Sequence, residues 1–287
     1  MTGYFRSLLA IITVSAGVTL SASAQNIQSL SDPVALQMYT LRNAGTLEEQ
    51  FALARRTGFE AVEVVGNQGV SAAELRRLLA RYNLSVTSSH EQFEALRNRL
   101  EETISFNKAI GNRMLVMPYL APEDRPTDRD GWRTLGQELD RIGSRLRKEG
   151  MRLAYHNHDF EMKKYGSRTA LEWMVDATRP DNLYLELDVA WVSRGGQDPV
   201  RLLNKYTQRI FAIHAKDNAG IGVRNDEMNF APVDEGLLSW NQIIPAALRS
   251  RTQWYIVEHD LPKDPASIIT TSRKNLLNEL MQARHQN

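Results

Sequence analysis

The chain has 287 residues, with 35 lysines and arginines, 34 aspartates and glutamates, and a formal net charge of +1. This balance gives no excess of basic side chains to hold a polyanion such as nucleic acid. There is no cysteine, which excludes disulfides, thiolate metal ligands and a thiol nucleophile and leaves imidazole and carboxylate as the strong ligands. The length and the 42% hydrophobic content suit one large core.

The first 24 residues predict a cleavable signal peptide. Arg6 precedes an apolar stretch over 8–20, and Ala22-Ser23-Ala24 places small residues where a signal peptidase requires them. The alternative, a membrane anchor, is disfavoured because the stretch is shorter than the roughly 20 residues of a span. We therefore expect an exported protein, periplasmic or secreted, with no membrane segment after cleavage.

Eight short runs rich in β-branched or aromatic residues alternate with longer segments of helical periodicity. The runs are 34–38, 61–65, 85–89, 114–117, 152–156, 183–187, 210–214 and 254–258. Alternation of strands and helices predicts parallel pairing. Eight units, and a first turn without a glycine-rich loop, favour an α/β fold of the closed (β/α)8 TIM-barrel type over an open doubly wound sheet. We predict a signal peptide over 1–24, an N-terminal extension over 25–33 and one barrel domain over 34–287.

Several predicted strands end in a residue that can bind a metal or move a proton. In a parallel barrel these carboxyl ends point at one face, so the residues converge there. Asp188, His214 and Glu258 suit one hard divalent cation, with Mn²⁺, Mg²⁺ or Co²⁺ favoured and Zn²⁺ as an alternative. Singly, Asp188 could cap the next turn, His214 could be a hydrogen-bonded core histidine, and Glu258 could pair with Lys216. Together they favour a metal, because buried unpaired charge is expensive.

The fourth ligand is ambiguous from spacing alone. Glu161 ranks first because hard cations prefer oxygen, and His156 ranks second because it ends its strand. The residue that is not a ligand is placed to shuttle a proton, as is His158, two residues after His156 on the same side. We therefore predict His156, His158 and Lys216 as catalytic residues.

Three segments carry a resemblance to a known family: Tyr155-His156-Asn157-His158-Asp159-Phe160-Glu161, Glu186-Leu187-Asp188-Val189-Ala190-Trp191, and the residues from Arg209 to Asp217. With them the chain resembles the xylose isomerase-like barrel proteins, often called sugar phosphate isomerases/epimerases. The resemblance implies a divalent metal held by Glu, Asp, His and Glu, acting on a carbohydrate. On this chain those positions are Glu161 or His156, then Asp188, His214 and Glu258.

Two departures from the family pattern narrow the resemblance. Trp191 stands where many epimerases have a histidine; it suits stacking on a sugar face, and the motif resembles the branch that acts on 3-keto-glycosides. The nucleic-acid repair branch needs further histidines that this chain lacks. The expected partner is a small-molecule carbohydrate, not nucleic acid, and homo-oligomers are compatible with the sequence.

The expected chemistry starts with removal of a proton beside a sugar carbonyl, through a metal-stabilised enediolate. Return of the proton elsewhere gives isomerisation or epimerisation, whereas loss of a leaving group gives elimination, as in cleavage of a 3-keto-glycoside by a lyase or hydrolase. Glu63 and His90 are expected to touch substrate hydroxyls, together with Trp191. A periplasmic carbohydrate-binding protein without catalysis is the alternative from another class; a metal-dependent endonuclease fits the charge balance less well.

Overall fold

A computed structural model of the chain describes residues 32–285. The predicted signal peptide, 1–24, and residues 25–31 of the predicted extension lie outside the described residues, so both stay predictions. Within the described range, no helix combines the length and the apolar character needed to cross a bilayer.

Eight parallel strands close into a barrel, in which each strand pairs with its neighbours along the chain and the last pairs with the first. The strands are β1 Val34–Gln37, β2 Ala61–Val65, β3 Ser85–His90, β4 Met114–Met117, β5 Arg152–His156, β6 Tyr184–Asp188, β7 Ile210–Ala215 and β8 Trp254–Val257. The predicted (β/α)8 barrel is confirmed. Three predicted strands match residue for residue (61–65, 114–117 and 152–156), and the others differ by one residue at an end or by a one-residue shift.

Ten helices surround the described part of the barrel. They are α1 Leu47–Arg56, α2 Ala72–Arg81, α3 Phe93–Asn98, α4 Leu100–Ala109, α5 Arg129–Lys148, α6 Ala170–Val175, α7 Val189–Arg194, α8 Pro199–Lys205, α9 Trp240–Arg249 and α10 Pro265–His285. Helix starts are set by local chemistry. Thr46 and Glu49 form a reciprocal capping box at α1, and Thr169 and Glu172 form another at α6.

The barrel interior changes character along the strands. A small apolar cluster inside it includes Ala35, Ala154, Ala212 and Ile256. Side chains two residues apart on a strand face the same side, so the polar residues that follow, such as His156 two residues after Ala154, also face inward. The interior is therefore apolar at one level and strongly polar toward the carboxyl ends of the strands.

Candidate metal centre

Four strand-end side chains converge at the carboxyl face of the barrel. His156 ends β5, Asp188 ends β6, His214 lies in β7, and Glu258 follows β8. Each is buried and offers a ligand atom, and these atoms lie within 4.8 Å of one another. The structure thus brings together the three ligands predicted from the sequence, Asp188, His214 and Glu258, with His156 as the fourth member.

Glu161, ranked first as the fourth ligand from the sequence, lies elsewhere. Its Oε1 accepts a hydrogen bond from the Tyr155 hydroxyl at 2.7 Å, and its Oε2 accepts one from the backbone N–H of His158 at 2.8 Å. Tyr155 packs in the large cluster between barrel and helices, not in the interior one. Because Glu161 binds the outward-facing Tyr155, it points away from the barrel interior, and the geometry favours His156 over it.

Acids and histidines occupy two levels of the interior. We call Asp188, Glu258, Asp260 and Lys216 the upper layer. We call Glu63, Glu186 and His90 the lower layer. His156 and His214 lie between the two layers and contact both.

The lower layer centres on Glu186, which the sequence analysis missed. Its Oε1 lies 2.8 Å from His90 Nε2, 2.8 Å from His214 Nε2 and 3.3 Å from His156 Nδ1. With these three histidines it forms a second buried group able to hold a metal. The spacing along the strand could have identified Glu186. It precedes Asp188 by two residues and therefore faces the same side, one level deeper in the barrel.

Glu63 is completely buried in the lower layer. Its Oε1 accepts a hydrogen bond from Gln37 Nε2 at 2.6 Å and lies 2.8 Å from His214 Nε2, while its Oε2 accepts one from Ser88 at 2.5 Å. Both oxygens are engaged by protein groups, and Glu63 does not line the cavity above the histidines. This position does not suit the substrate contact predicted for Glu63 and suits support of the lower layer.

The upper layer is held by Lys216, which is 1% exposed. Its Nζ lies 2.5 Å from Asp260 Oδ2, 2.7 Å from Glu258 Oε2 and 3.0 Å from Asp188 Oδ2. The pairing of Lys216 with Glu258, considered from the sequence, is present. Asp260 was missed, although it follows Glu258 by two residues. Three carboxylates here share one lysine cation.

His156 and His214 present one ring nitrogen to each layer. His214 Nδ1 lies 3.0 Å from Glu258 Oε2, and its Nε2 faces Glu186. His156 Nε2 lies 3.9 Å from Asp188 Oδ2, and its Nδ1 faces Glu186. A histidine that binds a metal usually turns its other nitrogen to a carboxylate, which fixes its tautomer and orientation. Glu186 offers that support to His214 at 2.8 Å and lies 3.3 Å from His156 Nδ1 without a hydrogen bond.

Asp188 has one oxygen engaged and one free. Its Oδ1 accepts the backbone N–H of Trp191 at 2.8 Å and caps α7, as the structural alternative for Asp188 predicted. Its Oδ2 has no hydrogen-bond partner, because Lys216 at 3.0 Å lacks hydrogen-bond geometry. His156 Nδ1 and Glu186 Oε2 also lack partners. Unpartnered buried acceptors are rare and costly, so the residues present fit a bound cation.

Burial and neighbouring charge shift the protonation of these groups. Burial raises the pKa of Asp188 to about 6, although the positive charge of Lys216 acts to lower it. Burial disfavours the charged form of His214, but the charges of Glu186 and Glu258 outweigh it and raise the pKa of His214 well above its usual value. Burial and the charge of His214 lower the pKa of His156. Metal ligands must be deprotonated, so cation binding here would release protons.

A cavity of about 280 Å³ opens above the centre, and His90, His156, His158, Glu258 and Asp260 line part of it. The His158 ring packs against Tyr119 and Trp191 at centroid distances of 5.1 and 5.2 Å. Its Nδ1 has no hydrogen-bond partner, and burial lowers the pKa of His158 to about 3. His158 is therefore a neutral imidazole that lines the cavity.

Trp191 contributes to the site through His158. Its ring packs against Phe230 at 5.2 Å and is not part of the cavity lining. The predicted stacking of Trp191 on a sugar stays a prediction. His90, by contrast, lines the cavity and also belongs to the lower layer, as expected for a residue at the end of β3.

An eight-stranded barrel with histidines and carboxylates at its strand ends, beneath a cavity on the carboxyl face, has the architecture of the TIM-barrel enzymes. The particular family is shown by comparison. Residues 51–279 match the model of the xylose isomerase-like TIM barrel family, and the chain belongs to that family.

Relatives of this chain include enzymes that act on carbohydrates. Inosose dehydratase of Lacticaseibacillus casei is 32% identical over 162 residues, which cover 50% of this chain and 52% of that protein, so the match spans about half the length of this relative. A sugar phosphate isomerase/epimerase from Parabacteroides distasonis has a structure with a TM-score of 0.71 at 22% identity, covering 87% of this chain and 94% of its own. IOLI protein with a bound zinc atom has a TM-score of 0.70 at 14% identity, covering 88% and 99%. At these identities the two structures show the shared fold.

Proposed function

We propose that this protein is a divalent-metal-dependent sugar isomerase or epimerase that removes a proton next to a sugar carbonyl. One observation carries the proposal: His156, Asp188, His214 and Glu258 place ligand atoms within 4.8 Å of one another, and two of them, His156 and Glu258, line the cavity. Active sites of TIM barrels lie at this carboxyl face. The family resemblance supports a carbohydrate as the substrate.

In this proposal His156, Asp188, His214 and Glu258 hold the metal. A bound divalent cation would polarise a substrate carbonyl and stabilise the negative charge that develops when a neighbouring carbon is deprotonated. The upper group is preferred because it has two carboxylates, one of which, Glu258, lines the cavity, whereas the single carboxylate of the lower group, Glu186, does not. His156 belongs to both groups, and His90 of the lower group also lines the cavity. Mn²⁺, Mg²⁺ and Co²⁺ suit the two carboxylates of the upper group, and the zinc bound to IOLI protein makes Zn²⁺ an equal candidate.

His158 is the proposed base. It lines the cavity, its Nδ1 has no hydrogen-bond partner, and its backbone is fixed by the hydrogen bond to Glu161. His156 then acts as a ligand instead of a proton carrier. Lys216 is too enclosed to meet a substrate directly, and it neutralises the carboxylates of the upper layer.

Elimination is the second candidate outcome. It shares the proton abstraction at His158 and differs in the next step, when a leaving group departs instead of the proton returning. The similarity to an inosose dehydratase favours it, because a dehydratase expels water. Product analysis by NMR separates the two: an epimer or isomer keeps the substrate mass, whereas elimination releases water or an aglycone.

Export is also proposed, on the strength of the predicted signal peptide. Expression of the full chain in a Gram-negative host, followed by N-terminal sequencing of the periplasmic fraction, tests it. A mature N-terminus at Gln25 would support export, and intact protein confined to the cytoplasm would contradict it.

Metal content of the purified protein, measured by plasma mass spectrometry, tests the proposal first. We expect one divalent ion per chain in the wild type and a loss of affinity of more than about 100-fold in Asp188→Asn, because removal of a direct ligand exceeds the 10–100-fold cost of losing an outer partner. Glu258→Gln should behave alike. Stoichiometric metal retained in Asp188→Asn would refute the assignment.

Proton exchange tests the chemistry. Ketoses incubated with metal-loaded protein in D₂O should take up deuterium at the carbon beside the carbonyl, and His158→Gln should slow the uptake by about 10²–10⁴-fold while keeping its metal. Metal binding without exchange on any ketose or keto-glycoside would exclude proton abstraction. Sugar binding without metal, even after reconstitution, would favour a non-catalytic binding protein.

A further inference from the structure

A second cavity of about 480 Å³ adjoins the one above the metal centre. It lies between the segment after β2, the segment after β3 and helix α4. The two cavities share three lining residues, Val65, His90 and Gln92. A molecule bound over the centre can therefore extend past His90 into this second space.

The floor of the second cavity is a fixed carboxylate. Glu91 is 7% exposed. Its Oε1 accepts hydrogen bonds from Ser89 at 2.8 Å and from Asn107 Nδ2 at 2.7 Å, and Asn107 is held in turn by Asn112 at 2.8 Å. Its Oε2 has no hydrogen-bond partner among the described residues. One oxygen is thus anchored, and the other is left as an acceptor in the cavity.

The backbone beside Glu91 leaves that oxygen uncovered. Gly66 lies in the left-handed region at φ +53°, and a Cβ at this position would sit 3.8 Å from Glu91 Oε2. A side chain there would cover the acceptor. Burial raises the pKa of Glu91, against hydrogen bonds from Asn107 and Ser89 that lower it. A partner with hydroxyl donors would satisfy Oε2.

The rest of the lining suits a neutral polyhydroxylated ring. Gln92, at the junction of the two cavities, is exposed and its side chain makes no hydrogen bond within the described structure. Phe106 contributes an aromatic wall. Pockets for small ligands usually enclose about 300–1,000 Å³ and combine apolar walls with a few placed polar groups. The second cavity has both properties and room for one sugar ring.

Charge argues against a phosphate in this cavity. Its lining carries two carboxylates, Glu91 and Glu102, one guanidinium, Arg99, and His90, which is paired with Glu63 and Glu186. Arg99 is already bound to Glu94 at 2.6 Å. A phosphate dianion would therefore meet two carboxylates and no cation that is free of a carboxylate partner. A neutral hydroxylated ring, by contrast, can donate a hydrogen bond to Glu91 Oε2.

We propose that the Glu91 cavity is a second substrate subsite, which binds a neutral sugar ring or polyol joined to the unit held over the metal centre. The substrate is then a two-ring glycoside and not a monosaccharide phosphate. For the first ring, this inference rests on the proposed function. For the second ring, it rests on the lining of the Glu91 cavity. Glu91 and Gln92 determine specificity for the second ring.

The test compares sugars with one and two rings. Binding of glucose, glucose 6-phosphate and a panel of neutral disaccharides and glycosides (maltose, cellobiose, trehalose, lactose and salicin) is measured by titration calorimetry on metal-loaded wild type, Glu91→Gln and Gln92→Ala. We expect at least one two-ring sugar to bind more tightly than glucose. Its binding should weaken roughly tenfold in Glu91→Gln, the effect of losing a hydrogen bond to a charged group.

Glu91→Gln is suited to this comparison because a glutamine can keep its oxygen toward Ser89 and Asn107 and turn its amide to the cavity. Gln92→Ala changes an exposed side chain, which keeps the test valid if Glu91→Gln folds poorly. Glu101→Gln is the matched control: it lies next to Glu102 on α4, outside the cavity lining, where it binds Arg145. It should bind every sugar as the wild type does.

Metal content and deuterium uptake are measured on the same preparations. If the proposed chemistry fails but two-ring binding still depends on Glu91, the subsite stands without the reaction. The subsite is refuted if no two-ring sugar binds the wild type more tightly than it binds both subsite variants, or if glucose 6-phosphate binds the wild type most tightly of all the sugars. Loss of metal in Glu91→Gln would also refute it, because the effect would then reach the sugar through the metal centre.

Discussion

The upper and lower layers of the barrel both contain buried carboxylates, but different groups pair with these carboxylates in the two layers. In the lower layer, both oxygens of Glu63 are engaged by Gln37, Ser88 and histidine nitrogens. In the upper layer, three carboxylates converge on Lys216, and Asp188 Oδ2 keeps no hydrogen bond. The lower layer has only histidines as cationic partners, and Glu186 Oε2 keeps no hydrogen bond. The upper layer gathers its three carboxylates around one lysine, with His214 as a further partner of Glu258.

This contrast indicates that the upper layer is the one in which a bound metal can take over part of the charge compensation that Lys216 provides. Lys216 Nζ lies within 3.0 Å of two proposed metal ligands, Asp188 and Glu258, so it stabilises their charge without a metal. With a metal bound, Asp260 at 2.5 Å remains as its partner. Lys216 therefore has a place in both states. No lysine or arginine pairs with Glu63 or Glu186 in the described ion pairs.

Removal of Lys216 should have the largest effect on stability. Lys216→Met leaves three buried carboxylates without their cation, and breaking a buried pair costs about 3–5 kcal/mol. We expect metal-free Lys216→Met to unfold at lower denaturant than metal-free wild type, and added metal to restore more stability in the variant. Urea titrations with and without Mn²⁺ or Zn²⁺ measure both effects.

The control for this variant is Lys108→Met. Lys108 pairs with Glu149 at 2.5 Å, and its side chain is 34% exposed. Exposed pairs contribute about 0–1 kcal/mol, so this variant should remain close to the wild type and show no greater response to metal. Equal losses in the two lysine variants would mean that the upper layer does not depend on Lys216.

The lower layer should tune metal affinity without holding the metal. Glu186→Gln keeps the shape of the side chain and removes the charge that faces His90, His156 and His214. Loss of such an outer partner typically weakens metal binding about 10–100-fold. Competition with a chelator should show this shift while one ion per chain still binds at saturation.

Glu186→Gln and Asp188→Asn together decide between the two candidate metal groups, because each acid belongs to only one of them. Complete loss of metal in Glu186→Gln with retention in Asp188→Asn would place the ion in the lower group, among three histidines and one carboxylate. The reverse pattern would leave the ion in the upper group.

The barrel was predictable because its signals are local. Strand runs repeat eight times, several helices begin at a capping residue, and a strand end fixes which face a residue reaches. Asp188, His214 and Glu258 could therefore be brought together from the sequence. Glu186 and Asp260 do not stand at predicted strand ends, so the strand-end pattern does not point to them, although both lie two residues from a predicted ligand. The structure places Glu161 outside both candidate metal groups, because the turn over Phe160–Met162 directs it to Tyr155, which sequence spacing does not show.

Glu161→Gln should have the smallest effect and tests the fourth ligand directly. A glutamine can still accept the His158 N–H and can donate to the Tyr155 hydroxyl, so we expect a loss of about 1 kcal/mol and one bound ion per chain. The matched variant His156→Asn should lose metal affinity. Loss of metal in Glu161→Gln with retention in His156→Asn would restore the order that the sequence favoured.

The dependence of stability on pH tests the protonation state of Glu161. Burial raises the pKa of Glu161 to about 7, above the unfolded value of 4.5. Between these values the folded chain binds more protons at this site than the unfolded chain does, so the contribution of Glu161 to stability falls as pH rises. Glu161→Gln removes this pH-dependent contribution. Urea titrations from pH 4.5 to 7 should therefore show the stability of the variant rising relative to that of the wild type as the pH increases. A constant difference would mean that Glu161 is ionised throughout, as a carboxylate bound to a cation would be, and would return it to the metal centre.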